Sequence, residues 1–244
     1  MSSFVTAVSR TLDQRFRYLY KPVVFIACLV PLLGCIGGIL RSNRVASVPG
    51  FELGTDPVRW VLDTLGKTAL NLLFLTLLIT PLRQLIGNVQ LLRLRRMLGL
   101  FAFSYALLHF LTYVGLFEAG SWTEIRKDLA KRPFTAMGFA ALLLLLPLAV
   151  TSTDKMMRRL RGRWQRLHRL IYLIAPLTVL HYWKMLKHEY REPLVYGSIL
   201  VALLAFRAWR RLRARAPAVT AAAASARAQR LTSRCEPPKA RGKV

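Results

Sequence analysis

Histidines in apolar segments are the residues of this chain that could do chemistry. His109 lies twelve residues into the apolar run that begins at Met97, and His181 follows His168 by thirteen residues in a later run. At about 1.5 Å per residue, His109 and His181 are predicted roughly 18 and 20 Å along helices that cross a membrane in one direction, hence at matching depth. Two neutral imidazoles at one depth close both axial positions of a haem iron, which suits one-electron transfer. We therefore predict that His109 and His181 ligate a haem iron.

The alternative for His109 is a histidine that bonds a neighbouring carbonyl and binds no metal. In lipid an ionisable side chain is functional by default, so the depth-matched pair favours ligation. His168 leaves two hypotheses open: it ligates a second, inner haem, or it lies at a flavin, quinone or propionate site. Thirteen residues are about 220° of helical rotation, so His168 and His181 share no face unless Pro176 resets the phase. His188 is predicted to be a solvated loop residue.

The helix face around His109 is compatible with a flat cofactor. Ala102 and Ala106, seven and three residues before it, are small residues on the same face. Tyr105 and Tyr113, one turn before and after His109, are predicted to lie at the cofactor's edge.

The apolar residues that must position these histidines come in blocks. Of the 244 residues, 54% are hydrophobic, and each block approaches the roughly 17 to 25 residues with which a helix crosses a membrane. No segment alternates as a membrane barrel strand does. We predict an all-α integral membrane protein with six transmembrane helices, at about 22–40, 66–82, 97–117, 134–150, 168–186 and 193–209.

The net charge of +26 is typical of nucleic-acid-binding proteins, but the positions of the cations argue against that function. Of the 37 basic residues, 26 lie in four segments of the chain, at 1–21, 83–96, 151–169 and 207–244. These are alternate connections of the six-helix prediction, which is the positive-inside pattern. We therefore predict cytoplasmic N and C termini in a bacterial inner membrane, with the basic segments against anionic lipid and no nucleic-acid partner.

The chain is predicted to have three parts: a cytoplasmic amphipathic arm at 1–21, the six-helix haem domain at 22–209, and a basic, disordered cytoplasmic tail at 210–244. Inspection of the sequence shows no internal repeat. It also shows no Gly-rich phosphate loop between a strand and a helix, which an NAD(P)H-binding domain requires. Electrons are therefore expected to come from another molecule.

Three separated contexts resemble the MsrQ family, formerly YedZ, whose members are haem-binding membrane subunits. They are the run 94–100 with Tyr105 and His109, the run 131–134, and the run 164–183 with His168 and His181. The resemblance covers about residues 15–210. It implies a ferric-reductase-like bundle related to the membrane core of NADPH oxidases, with b-type haem and FMN. It also implies electron transfer from the respiratory quinone pool to MsrP, a periplasmic molybdenum reductase that repairs methionine sulfoxide in proteins.

The chain departs from the oxidase pattern at one histidine position. The oxidase relatives have a second histidine about fourteen residues before the equivalent of His109, where this chain has Arg95. We therefore expect one haem and leave a second open. The leading hypothesis is a redox subunit of a reductase complex rather than its catalytic subunit. The alternatives are a stand-alone ferric or quinone reductase fed by a cytosolic flavin reductase, and a non-redox channel or assembly factor.

Overall fold

The computed structural model describes residues 20–42, 57–86, 91–117, 121–186 and 190–234, and these residues form helices and turns with no strand among them. The predicted all-α class is confirmed. The elements are α1 (Lys21–Ser42), α2 (Pro57–Ile86), α3 (Leu91–Thr112) with a π-helical turn at Tyr113–Phe117, α4 (Trp122–Lys131), α5 (Pro133–Val150), α6 (Asp154–Leu160), α7 (Gly162–Leu167) with a 3₁₀ turn at His168–Leu170, α8 (Ile171–Met185) and α9 (Arg191–Arg234).

Five of the described helices are long and apolar enough to cross a membrane. They contain the segments Lys21–Leu40, Pro57–Leu85, Leu91–Leu116, Pro133–Val150 and Arg191–Arg210. The fifth predicted span corresponds to the 3₁₀ turn and α8, and α8 has only 15 residues. The count of six spans and the orientation of the termini therefore stay predictions.

Two helix pairs form the centre of the bundle: α2 packs along α3, and α5 packs along α8. The pairs meet because α3 also contacts α5 and α2 contacts α8, while α1 lies against α2 and α3. Leu77 of α2 is 1% exposed and Ile174 of α8 is 0% exposed. On α1, by contrast, Leu33 is 63% exposed, as expected for a face that contacts lipid rather than protein.

Tyr105 of α3 is inserted into the hydrogen-bond ladder of α1. Its hydroxyl donates to the Cys28 carbonyl at 2.6 Å and accepts from the Leu32 N–H at 3.1 Å, two groups that bond each other in a regular helix. Pro31, between them, favours such an opening because it lacks an N–H and crowds the preceding turn. Tyr105 therefore joins α1 to α3 through its hydroxyl, and a position of its ring at the edge of a haem stays a prediction.

Tyr113 also has a different partner from the one predicted. Its hydroxyl donates to Asp128 Oδ2 at 3.0 Å, and this carboxylate also pairs with Arg132 at 3.2 Å. The contact joins the end of α3 to α4, whose first turn is capped by the Ser121 hydroxyl. Both tyrosines thus contact neighbouring elements of the protein.

The predicted tail, 210–244, begins inside α9, which continues to Arg234. The run 220–224 consists of Thr and Ala, and alanine has the highest helix propensity, which explains a helix here. By its contacts the chain divides into two units, residues 1–200 and 201–244. In the second unit the Arg213 guanidinium lies 4.3 Å from the centre of the Trp209 ring. The arm at 1–19 and the end of the tail lie outside the described residues.

An ion pair joins α3 to the connection after α5. Arg96 donates to Asp154 at 2.6 Å, and this hydrogen bond, with the charge of Arg96, holds the pKa of the Asp154 carboxyl below its ordinary value of 3.8. A lowered pKa stabilises the fold above the ordinary value, and the contribution is lost as the pH falls through the lowered one. Asp154→Asn should therefore lower the unfolding temperature slightly at neutral pH in detergent. The difference from wild type should shrink below pH 3.8; an equal difference at both pH values would contradict this role.

Candidate haem site

His109 of α3 bonds the backbone of the neighbouring helix α2. Its Nδ1 lies 2.9 Å from the Leu62 carbonyl oxygen. A carbonyl oxygen can only accept, so this contact requires the proton on Nδ1 and leaves the lone pair on Nε2. The neutral His109 ring is therefore in the tautomer that binds a metal through Nε2.

His181 of α8 repeats this arrangement against α5. Its Nδ1 lies 2.6 Å from the Phe134 carbonyl oxygen, which again leaves Nε2 without the proton. Histidines that ligate metals usually donate the other ring N–H to a carbonyl or carboxylate, which fixes the ring and raises its basicity. Both histidines have this supporting bond.

The two rings lie next to each other in a nearly perpendicular arrangement. Their centroids are 6.4 Å apart and their planes are inclined by 83°. An iron bound at about 2 Å by a nitrogen of each ring places the centroids roughly 6 Å apart. A bis-imidazole haem needs two histidine ligands, which this pair can supply. A metal ion held by side chains alone needs more ligands, and the described residues contain no group of three or more His, Cys, Asp and Glu side chains that could hold one. The donor set and its spacing therefore fit a haem iron.

His168 lies apart from this pair, in the 3₁₀ turn before α8. Its Nδ1 contacts the Trp164 carbonyl at 3.1 Å, and its ring stacks on the Trp164 indole at 3.9 Å between centroids. The indole N–H donates to the Thr151 carbonyl at 3.0 Å, which holds the stack in place. Trp164 thus positions the ring of His168.

Among the described residues, the structure gives no contact between His168 and a second histidine. His109 and His181 pair with each other, and His188 lies outside the described residues. The group whose charge acts on the His168 ring is the guanidinium of Arg95. Because a guanidinium cannot ligate iron, His168 and Arg95 suit an anionic or carbonyl-bearing group better than a second haem iron.

A polar cluster that was not predicted from the sequence lies beside the histidine pair. Glu192 Oε2 pairs with the Lys67 ammonium at 2.9 Å and accepts from the Tyr182 hydroxyl. Lys67 Nζ also lies 6.0 Å from the centre of the Tyr182 ring. Tyr182 follows His181 directly, so the cluster fixes the end of the helix that carries this histidine.

Lys67→Met should destabilise the protein more than the double variant Lys67→Met/Glu192→Gln. The single change leaves the Glu192 carboxylate without its cation at the end of a membrane span, whereas the double change removes both charges. We expect the single variant to lose about 1 kcal/mol or less, because both side chains are nearly half exposed and exposed ion pairs contribute little, and the double variant to recover part of it. Unfolding in detergent measures both. A double variant less stable than Lys67→Met would contradict the pairing.

Comparison with known proteins agrees with the helical architecture around this site. The model of the family described as "Ferric reductase like transmembrane component" matches residues 65–179, which include His109 and His168 and end two residues before His181. A protein of Xanthomonas oryzae pv. oryzae, strain MAFF 311018, is 51% identical over 197 residues, 80% of this chain and 88% of its own length. Its name is protein-methionine-sulfoxide reductase heme-binding subunit MsrQ. The chain belongs to the MsrQ family.

Two further MsrQ proteins support the assignment. That of Xanthomonas campestris pv. campestris, strain 8004, is 53% identical over 163 residues, 67% of this chain and 75% of its own length. That of Herminiimonas arsenicoxydans is 45% identical over 199 residues, 79% of this chain and 87% of its own length. No solved structure matches the chain. With the five apolar helices, family membership confirms the prediction of a multi-pass membrane protein, and the bacterial inner membrane fits an MsrQ protein.

Proposed function

We propose that this chain is a transmembrane electron-transfer subunit that binds one b-type haem between His109 and His181. In the proposed reaction, electrons from the respiratory quinone pool pass through the subunit to the periplasmic molybdenum reductase MsrP, which repairs methionine sulfoxide in proteins. The observation that supports it is the adjacent histidine pair, with both Nδ1 atoms on backbone carbonyls and both Nε2 atoms left as ligands.

The two imidazoles suit electron transfer rather than substrate chemistry. A bound haem supplies reversible one-electron chemistry. His109 and His181 would both ligate the haem iron, so oxygen or a substrate could bind it only by displacing one of the two rings. Backbone carbonyls of α2 and α5 hold the rings, so the protein can keep the same ligand geometry in both oxidation states.

The donor site is proposed at the opposite end of the same helices, on the cytoplasmic side that the basic residues indicate. His168 and Arg95 would bind the quinol there, His168 accepting a proton from it and Arg95 stabilising the anionic form. FMN is implied only by the family resemblance.

Reconstitution with purified partners tests this function. The chain in liposomes, given reduced quinone and MsrP, should reduce MsrP, and His109→Ala should stop the transfer while MsrP stays active with an artificial donor. If MsrP stays oxidised while added ferric iron is reduced, the protein is a ferric reductase, the alternative that the match to ferric-reductase-like proteins favours. If quinol gives no reduction but a cytosolic flavin reductase with NAD(P)H does, the proposed donor is wrong.

A further inference from the structure

Each histidine of the pair lies directly against a glycine of the neighbouring helix. A Cβ added to Gly66 would lie 3.0 Å from His109 Nδ1 and 3.1 Å from its Cε1. One added to Gly138 would lie 2.8 Å from His181 Cε1 and 2.9 Å from its Nδ1. These distances are shorter than van der Waals contact, so any other residue at either position would displace the ring.

The two glycines have the same position relative to the carbonyl that the histidine bonds. Gly66 follows Leu62 by four residues, and Gly138 follows Phe134 by four. In both cases the histidine comes 47 residues after the carbonyl. The same local arrangement therefore occurs twice, in α2 with α3 and in α5 with α8, with corresponding residues separated by 72 positions in sequence.

The helix geometry explains why a glycine is needed four residues after the carbonyl. In a regular helix a carbonyl points towards residue i+4, whose N–H it accepts. An imidazole that reaches the second lone pair of this carbonyl must lie beside residue i+4, where a side chain would begin. Only glycine leaves this space free.

We propose that Gly66 and Gly138 are positioning residues of the haem site. By leaving this space, each lets its histidine donate from Nδ1 to the carbonyl one turn earlier and present Nε2 to the opposite ring. The expected effect of these glycines on haem binding rests on the proposed haem function. The contact between each glycine and its histidine ring does not depend on a haem.

Gly66→Ala and Gly138→Ala test the role in the haem-loaded protein. Both should weaken haem binding by about 10–100-fold, the usual cost of losing the hydrogen bond that supports a metal-ligating histidine. Gly138→Ala should have the larger effect because its added Cβ would be closer to the ring. Haem that remains bound should show an altered low-spin EPR spectrum and a more positive midpoint potential, since a histidine that loses its Nδ1–H bond is a less basic ligand.

Two other glycines of membrane-spanning helices provide matched controls. A Cβ at Gly99 of α3 would meet Thr76 Cγ2 at 3.8 Å, an ordinary contact, and one at Gly197 of α9 would meet nothing within 4 Å. Gly99→Ala and Gly197→Ala should leave haem affinity, EPR spectrum and potential unchanged. Equal effects of all four variants, or no effect of Gly66→Ala and Gly138→Ala, would overturn the proposal.

If a glycine variant is too unstable to take up haem, a double-mutant cycle on the stability of the haem-free protein tests the contact between glycine and ring. Gly138→Ala should destabilise the wild-type chain but not the His181→Ala chain, where no ring opposes the added methyl group. Gly66→Ala and His109→Ala should show the same coupling. Additive effects in both cycles would show that the rings do not need the glycines. If wild-type protein binds no haem, the proposed function fails, while this cycle still tests the glycines.

Discussion

Replacing either His109 or His181 with alanine is expected to abolish stable haem binding. Each variant keeps one imidazole and loses the other ring of the pair, whose centroid lies 6.4 Å away in the structure. The loss should exceed the roughly 10–100-fold weakening that follows removal of an outer-shell partner, because an iron–nitrogen bond is lost. Haem content per chain after purification in detergent measures it.

His168→Ala is the matched control for this pair. It removes a histidine of the same helical region that stacks on Trp164 and lies apart from that pair, so the haem content should remain that of wild type. Added imidazole should restore part of the low-spin spectrum of His109→Ala and His181→Ala by filling the space of the missing ring. Wild-type haem content in both alanine variants would refute the ligand assignment.

Tyr105→Phe should destabilise the protein by about 1–3 kcal/mol, the cost of leaving a buried polar group unsatisfied. Tyr105 is 2% exposed, and its hydroxyl satisfies the Cys28 carbonyl and the Leu32 N–H of α1. The phenylalanine ring keeps α1 from closing its own ladder, so both groups lose their partner in a region that water does not enter. Unfolding in detergent, followed by circular dichroism, measures the loss.

Tyr196→Phe serves as the control for Tyr105→Phe. Its hydroxyl donates to Asn71 Oδ1 at 2.8 Å in a single bond at the outer surface of the helices, so its loss leaves one side-chain oxygen without this donor, compared with two backbone groups for Tyr105. The expected loss is about 1 kcal/mol or less. If Tyr105→Phe were no more destabilising than Tyr196→Phe, the inserted hydroxyl would not hold α1 to α3.

The sequence was sufficient to predict the helical class, which follows from hydropathy, and a fixed rise per residue led to the prediction that His109 and His181 lie at one depth. The structure brings these two rings together, and their ligation of iron remains a prediction. Tyr105 was placed at a cofactor edge from its spacing to His109 alone. Its true partners, Cys28 and Leu32, belong to α1, and spacing within one helix carries no information on contacts with another.

The supporting groups of the site could not be read from the sequence for a related reason. The acceptors of both histidines are backbone carbonyls, which every residue has, so neither Leu62 nor Phe134 stands out. The role of Gly66 and Gly138 can be recognised only from the histidine ring that lies against each of them in the structure. The glycines and histidines of the two arrangements are separated by 72 positions in the sequence. Few other residues are identical to the residue 72 positions later, so the repeat was not recognised by inspection.

The most direct test of the account is the absorption spectrum and haem content of the purified full-length protein after haem-replete expression. We expect one b-type haem per chain, with a reduced-minus-oxidised spectrum and a ferric EPR signal of a low-spin, six-coordinate iron. The inclination of 83° between the imidazole planes predicts a strongly anisotropic low-spin signal. A featureless spectrum, or a high-spin five-coordinate haem, would contradict the assignment of His109 and His181 as a ligand pair.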